Sequence, residues 1–209
     1  MTSGNIIDLI VLIPLFLLSV SIHEFSHAWA ADRLGDPTPR AMGRLTINPR
    51  AHIDPLGAVM FVIAFFSRFF IGWAKPVPVN IYNFRHPRRD FALVAISGPA
   101  SNLIQALGWY LIWLAFLMAP ASAVKEIASA LCGMGVVLNV ALLCFNLIPV
   151  PPLDGSRLLA WLLPAEQAAH LDRLEPYGFL ILLLLIWTGV LDIIYPPLFG
   201  MMIRIFPGI

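Results

Sequence analysis

Charge is scarce in this chain: Asp, Glu, Lys and Arg make up 12% of its 209 residues, while hydrophobic residues make up 59% and the formal net charge is +1. With a strongly positive mean hydropathy, that balance fits a polytopic membrane protein. No basic run is long enough to track a phosphate backbone, which disfavours a nucleic-acid partner. Cysteine is nearly absent. Cys132 and Cys144 fall in one apolar run, about 18 Å apart if that run is a helix, too far to bridge, so both are expected as small core residues. The N-terminus lacks a basic n-region and a small-residue cleavage site, so the first apolar run is expected to stay as a membrane helix. There is no internal repeat and no stretch long enough for an added soluble domain. Residues 1–209 are expected to form one integral membrane domain.

What the chain does have is long apolar runs. The expected architecture is all-α, with about five to six transmembrane segments. Spans are expected over residues 6–31, 56–73, 91–118, 127–147 and 177–195, with a short helix over 156–163 and an apolar tail, 196–209, at the interface. Between the first two spans, Met42, Arg44, Leu45, Thr46 and Ile47 suggest a short membrane-associated β-strand or hairpin within Arg40 to Asn48. Val77, Val79 and Ile81 alternate in the proline-containing loop that follows the second span, which suggests a half-buried extended segment with Pro78 confining it to an edge. Orientation is not decided by positive charge, because the loops flanking the second span each carry four Lys or Arg.

Inside the first run stands His23-Glu24-Phe25-Ser26-His27. Ionisable groups are costly in a membrane and mark functional sites. Residues four apart share a helix face, so His23 and His27 can direct imidazole nitrogens at one metal ion, with Glu24 beside it as a general base. The plainer alternative is a hydrogen-bonded crevice without metal. His23 lies roughly 25 Å along its helix, within the membrane but towards the second surface, where water can reach it.

A third ligand must come from elsewhere. His52 and Asp54, in Asn48-Pro49-Arg50-Ala51-His52-Ile53-Asp54-Pro55, are candidates near an interface. The stronger candidate is Asp154 in Pro149-Val150-Pro151-Pro152-Leu153-Asp154-Gly155, where three prolines in four positions force the backbone to unwind. Unwound backbone at membrane depth is tolerated where it lines a cavity. Asn102 and Gln105 on the third span, and Cys132, Asn139 and Asn146 at intervals of seven on the fourth, face neighbouring helices. The cluster Arg85-His86-Pro87-Arg88-Arg89 fits a headgroup-facing charge run.

With these motifs the sequence resembles the site-2 protease family of intramembrane zinc metalloproteases, in its compact prokaryotic branch without a PDZ insertion. The resemblance rests on His23 to His27 and Leu153-Asp154-Gly155, and on His52-Ile53-Asp54-Pro55-Leu56-Gly57, Gly72 to Asn80, Gly98-Pro99 with Asn102, and Asn146 with Pro149 and Pro151. It implies one zinc per chain held by His23, His27 and Asp154, with Glu24 as catalytic base. It implies that Asn102, Asn146 and His52 are near-site polar groups, one of which stabilises the oxyanion. Arg44, Thr46, Asn48, Val79 and Asn80 would help present substrate.

The function so implied is hydrolysis of peptide bonds in membrane-spanning or membrane-associated proteins, by a multi-pass enzyme of the cell membrane. A membrane helix offers no free scissile carbonyl, so its substrate must unwind locally. The alternative from another class is a metal-binding membrane protein or metal transporter using the same buried ligands. Glu24 separates the two: a ligand or counter-charge in a transporter, a group needed for turnover but not for metal retention in a protease.

Overall fold

The structure is a computed structural model that describes residues 6–67 and 73–209. Its first helix, α1 (Ile6–Leu34), is followed by a single helical turn, α2 (Thr38–Ala41), and by α3 (Pro55–Ser67). Two long helices come next, α4 (Pro87–Leu117) and α5 (Ala123–Asn146). The chain ends in α6 (Asp154–Leu162), α7 (Ala165–Leu174), α8 (Gly178–Trp187) and α9 (Val190–Ile203). Among the described residues, three helices are long and apolar enough to cross a membrane: Leu9–Leu34 of α1, all of α4 and all of α5. A bent unit through α8 and α9 raises the number to four at most.

The long helices begin and end for local reasons. Pro87 opens α4, where a missing N–H costs nothing, and the Asp90 carboxylate in the first turn accepts from the His86 N–H at 2.9 Å. Ser122 caps α5 by accepting from the Lys125 N–H at 3.2 Å. α4 packs along both α1 and α5 and also meets α6, so it is the element around which the site is arranged. Side chains such as Leu18, Ile104, Leu111 and Ile127 stand exposed on these helices, as expected of an apolar surface turned towards lipid. Cys132 and Cys144 are both buried and unpaired.

Two expectations need correction. Arg40 to Asn48 is not a strand: Pro37 and Pro39 start the helical turn α2, and Gly43, at φ +66°, breaks the extended path before Arg44 turns inward. The β pairing found among the described residues is a single bridge, Ile53 with Ala74, so no hairpin or sheet forms there. Of the expected second span, Pro55–Ser67 is helical, and residues 68–72 lie outside the described residues. The last span, 177–195, is not straight. Gly189 adopts a left-handed conformation at φ +73° and closes α8 by donating to the Ile186 carbonyl, and the chain turns by 86° into α9.

The tail packs back onto the long helices. α9 runs through Pro196 and Pro197 to Ile203, and Phe206 is buried with Ala106 of α4 and Val136, Val140 and Cys144 of α5. The Tyr110 hydroxyl donates to the Pro207 carbonyl at 3.1 Å, which fastens the end of the chain to α4.

Candidate metal centre

Between α5 and α6, residues 147–153 form turns, with the Leu153 N–H on the Val150 carbonyl at 2.9 Å. The unwinding expected of the proline cluster is present, and α6 restarts at Asp154. Gly155 lets α6 begin hard against the end of α5: a Cβ there would collide with the carbonyl oxygens of Leu147 and Ile148. This placement carries Asp154 to the face of α1 that bears His23 and His27. The ligand atoms of His23, His27 and Asp154 all lie within 4.8 Å of one another, and the two histidines are buried.

The separations are close. His23 Nε2 is 2.9 Å from His27 Nε2, and Asp154 Oδ2 is 3.3 Å from His23 Nε2 and 3.4 Å from His27 Nε2. Ligands at 2.0–2.2 Å from a tetrahedral zinc stand about 3.3–3.6 Å apart, so the three atoms already have nearly the spacing of one metal's coordination shell.

The hydrogen bonds behind the rings fix their chemistry. His27 Nδ1 lies 2.8 Å from the Val94 carbonyl, which can only accept, so Nδ1 carries the proton and Nε2 a lone pair. For His23 the same follows through a chain of amides. Asn139 Nδ2 donates to the Gly135 carbonyl at 2.9 Å and to Ser19 Oγ at 3.0 Å, so its Oδ1 faces Asn102. Asn102 Nδ2 donates to that oxygen at 3.1 Å, which turns Asn102 Oδ1 towards His23 Nδ1, 2.6 Å away. His23 therefore also holds its proton on Nδ1. With both rings neutral, two lone pairs and a carboxylate oxygen converge, and Asp154 Oδ2 is buried with no hydrogen-bond partner beyond the two Nε2 atoms it faces at 3.3 and 3.4 Å. A cation at their focus satisfies all three, so the residues fit a metal.

Gly98 makes room for this arrangement. A Cβ there would stand 2.5 Å from His27 Cε1 and 2.6 Å from His23 Cε1, so the α4 backbone serves as the wall behind both rings.

Comparison with known proteins agrees with a zinc site. The chain is 39% identical over 180 residues to "Putative zinc metalloprotease YwhC" of Bacillus subtilis, covering 85% of this chain and 80% of that one. It belongs to peptidase family M50. The model of "Peptidase family M50" matches residues 115–187, which include Asp154. "Putative zinc metalloprotease Rip2" of Mycolicibacterium smegmatis is a further M50-like relative, 34% identical over 186 residues, with 88% of this chain and 69% of that one covered. The site-2 protease resemblance in the sequence is thus the family itself, while no solved structure gives a significant match.

The other M50 candidates are placed as follows. Glu24 is not one of the three converging groups; its Oε2 accepts from the Val77 N–H at 3.1 Å. Asn102, fully buried, stands behind His23 with both ends of its amide engaged. Asn146 folds back to its own helix, donating to the Leu142 carbonyl at 3.0 Å. His52 is buried with Nε2 2.7 Å from the Thr46 carbonyl, and Asp54 Oδ1 accepts from the Gly57 N–H at 2.9 Å, so neither joins the three ligand atoms. Arg44 is buried and donates to the carbonyls of Lys75 and Pro76.

Asn48 caps the helical turn Pro49–Ala51, and the Thr46 hydroxyl accepts from the Asn48 N–H at 3.2 Å. Val79 packs near Ala30, Ala31, Phe84 and Val94, and the Asn80 N–H reaches Asp36 at 2.7 Å. Three contributors escaped the sequence reading: the Val94 carbonyl, Ser19 as the end of the amide chain, and Asp36. Backbone acceptors carry no signal in a sequence. Asp36 stands among turn formers in Gly35-Asp36-Pro37, yet it is wholly buried.

Proposed function

We propose that this chain is an intramembrane zinc metalloendopeptidase, one membrane-embedded unit that hydrolyses peptide bonds in membrane-spanning or membrane-associated proteins. His23, His27 and Asp154 hold the zinc and Glu24 is the catalytic base. The observation that carries this reading is the convergence of two imidazole lone pairs and an orphaned carboxylate oxygen on one point. Family membership supports the peptidase activity, and the apolar α1, α4 and α5 support the membrane setting.

When bound, zinc would supply Lewis-acid polarisation of the scissile carbonyl and acidify a water molecule. Glu24, one residue from His23 on α1, takes a proton from the attacking water and delivers it to the leaving amide nitrogen. The water oxygen bonds to the carbonyl carbon to give a tetrahedral oxyanion, and the peptide C–N bond breaks as that species collapses, which yields one carboxylate and one amine. Because Val77 occupies one carboxylate oxygen of Glu24, Oε1 is the oxygen available for that proton. Local unwinding of the substrate favours substrates with helix-weakening residues. The transporter reading is less favoured, since Glu24 points to backbone rather than to the ligand cluster.

The test uses purified protein in detergent with a single-span reporter carrying a Gly-Pro pair in its helix. Glu24→Gln keeps its zinc and loses cleavage; unchanged cleavage by that variant sinks the mechanism.

A further inference from the structure

The segment Lys75 to Asn80 crosses the site as a strap pinned at both ends. At one end the Lys75 N–H donates to the His52 carbonyl at 2.8 Å, beside the bridge between Ile53 and Ala74. At the other, the Asn80 N–H donates to Asp36 Oδ2 at 2.7 Å, while Asn83 Nδ2 donates to Asp36 Oδ1 at 2.7 Å. Between these anchors the backbone has few donors, because residues 76 and 78 are prolines. Val77 supplies the N–H between them, and that N–H is the one on Glu24.

What fixes the middle of the strap is Arg44. Its Nη1 donates to the Pro76 carbonyl at 2.9 Å and its Nη2 to the Lys75 carbonyl, so one planar guanidinium grips two successive peptide units. Its position is fixed in turn by His52. The Thr46 carbonyl takes the Nε2 proton of that ring, which leaves Nδ1 to accept from Arg44 Nη2 at 3.3 Å. Arg44 is 5% exposed, its guanidinium is costly to bury, and among the described residues it has no carboxylate in salt-bridge contact. Burial pushes its pKa down, against the opposing charge of Glu24.

We propose that Arg44 is a positioning residue for the peptidase reaction: by gripping the Lys75 and Pro76 carbonyls it aims the Val77 N–H at Glu24, and so holds that carboxylate with one oxygen pinned and the other free. This rests on Glu24 being the base. Lysine is expected to replace Arg44 poorly, since a single ammonium nitrogen cannot take the places of Nη1 on the Pro76 carbonyl and Nη2 on the Lys75 carbonyl and His52 together. A strap that merely covered the site would behave oppositely, because loosening it would uncover Glu24 and speed turnover.

Two measurements on the zinc-loaded, full-length protein in detergent decide the matter. The first is hydrogen exchange at the Val77 amide, read by fragment-resolved mass spectrometry; the flanking prolines contribute no amide of their own. Exchange is expected to be slow in the wild type and at least about ten-fold faster in Glu24→Ala and in Arg44→Lys. Equal rates in all three overturn the proposal. The second is turnover of the single-span reporter. Arg44→Lys and Val77→Pro are expected to keep zinc and KM and to lose about ten-fold or more in kcat. A kcat in Arg44→Lys equal to or above the wild type overturns the positioning role, provided Glu24→Gln is inactive. If Glu24→Gln still cleaves, the base assignment has failed instead, and the exchange result still reports on the contact.

Discussion

His23 Nδ1 lies 2.6 Å from Asn102 Oδ1, and the Asn102 amide is held in that orientation by Asn139 on the next helix. One proton position on one imidazole is therefore set by residues on three helices. Asn102→Ala should free His23 to rotate or to change tautomer and weaken zinc binding by about 10–100-fold, measured by competition with a chromogenic chelator. An unchanged affinity would show that the amide chain serves packing alone.

Gly98 is the narrowest point behind the site. Gly98→Ala places a methyl group 2.5 Å from His27 Cε1 and 2.6 Å from His23 Cε1, and neither ring has space to retreat without breaking its bond to Val94 or Asn102. The expected result is a folded protein destabilised by about 1–3 kcal/mol that has lost stoichiometric zinc. Thermal unfolding and metal analysis of the same sample check both parts.

Asp36 gives the fold a pH dependence. Burial opposes its charge, but hydrogen bonds from the Thr38 hydroxyl, the Asn83 amide and the Asn80 and Thr38 N–H groups prevail, and its carboxyl is held below the usual carboxylate range. A folded-state value below the unfolded one contributes stability that is present above the unfolded pKa, about 3.9, and is lost as pH falls from there towards the folded value. The stability gap between wild type and Asp36→Asn should thus be widest near neutral pH and shrink on acidification below about pH 4. Paired melting curves across that range provide the check, and a gap that widens in acid contradicts the assignment.

Much of the candidate site was legible because polar residues are conspicuous in an apolar helix. His23, Glu24 and His27 stood out in an apolar helix, and the prolines before Asp154 announced the unwound backbone that carries it back to α1. Asn102 and Asn139 were visible as polar residues facing other helices, but nothing local states that one serves the other and both serve His23. The contacts of Arg44 were hidden for a related reason: its partners are backbone carbonyls, which every residue has.

The fold was less legible where one residue overrules a pattern. Alternation from Met42 to Ile47 suggested a strand, but Pro37, Pro39 and the left-handed Gly43 decide the path of that segment. The run from Tyr177 to Tyr195 is apolar enough for one helix, yet Gly189 breaks it into two that meet at a bend of 86°.

The most direct measurement is X-ray absorption at the zinc edge on the purified wild-type protein and on Glu24→Gln. The account predicts one zinc per chain with the same ligand shell in both: two imidazole nitrogens and two oxygens at about 2.0–2.2 Å, one oxygen from Asp154 and one from water. A shell with sulfur or a third imidazole, or one that changes when Glu24 is replaced, would contradict it.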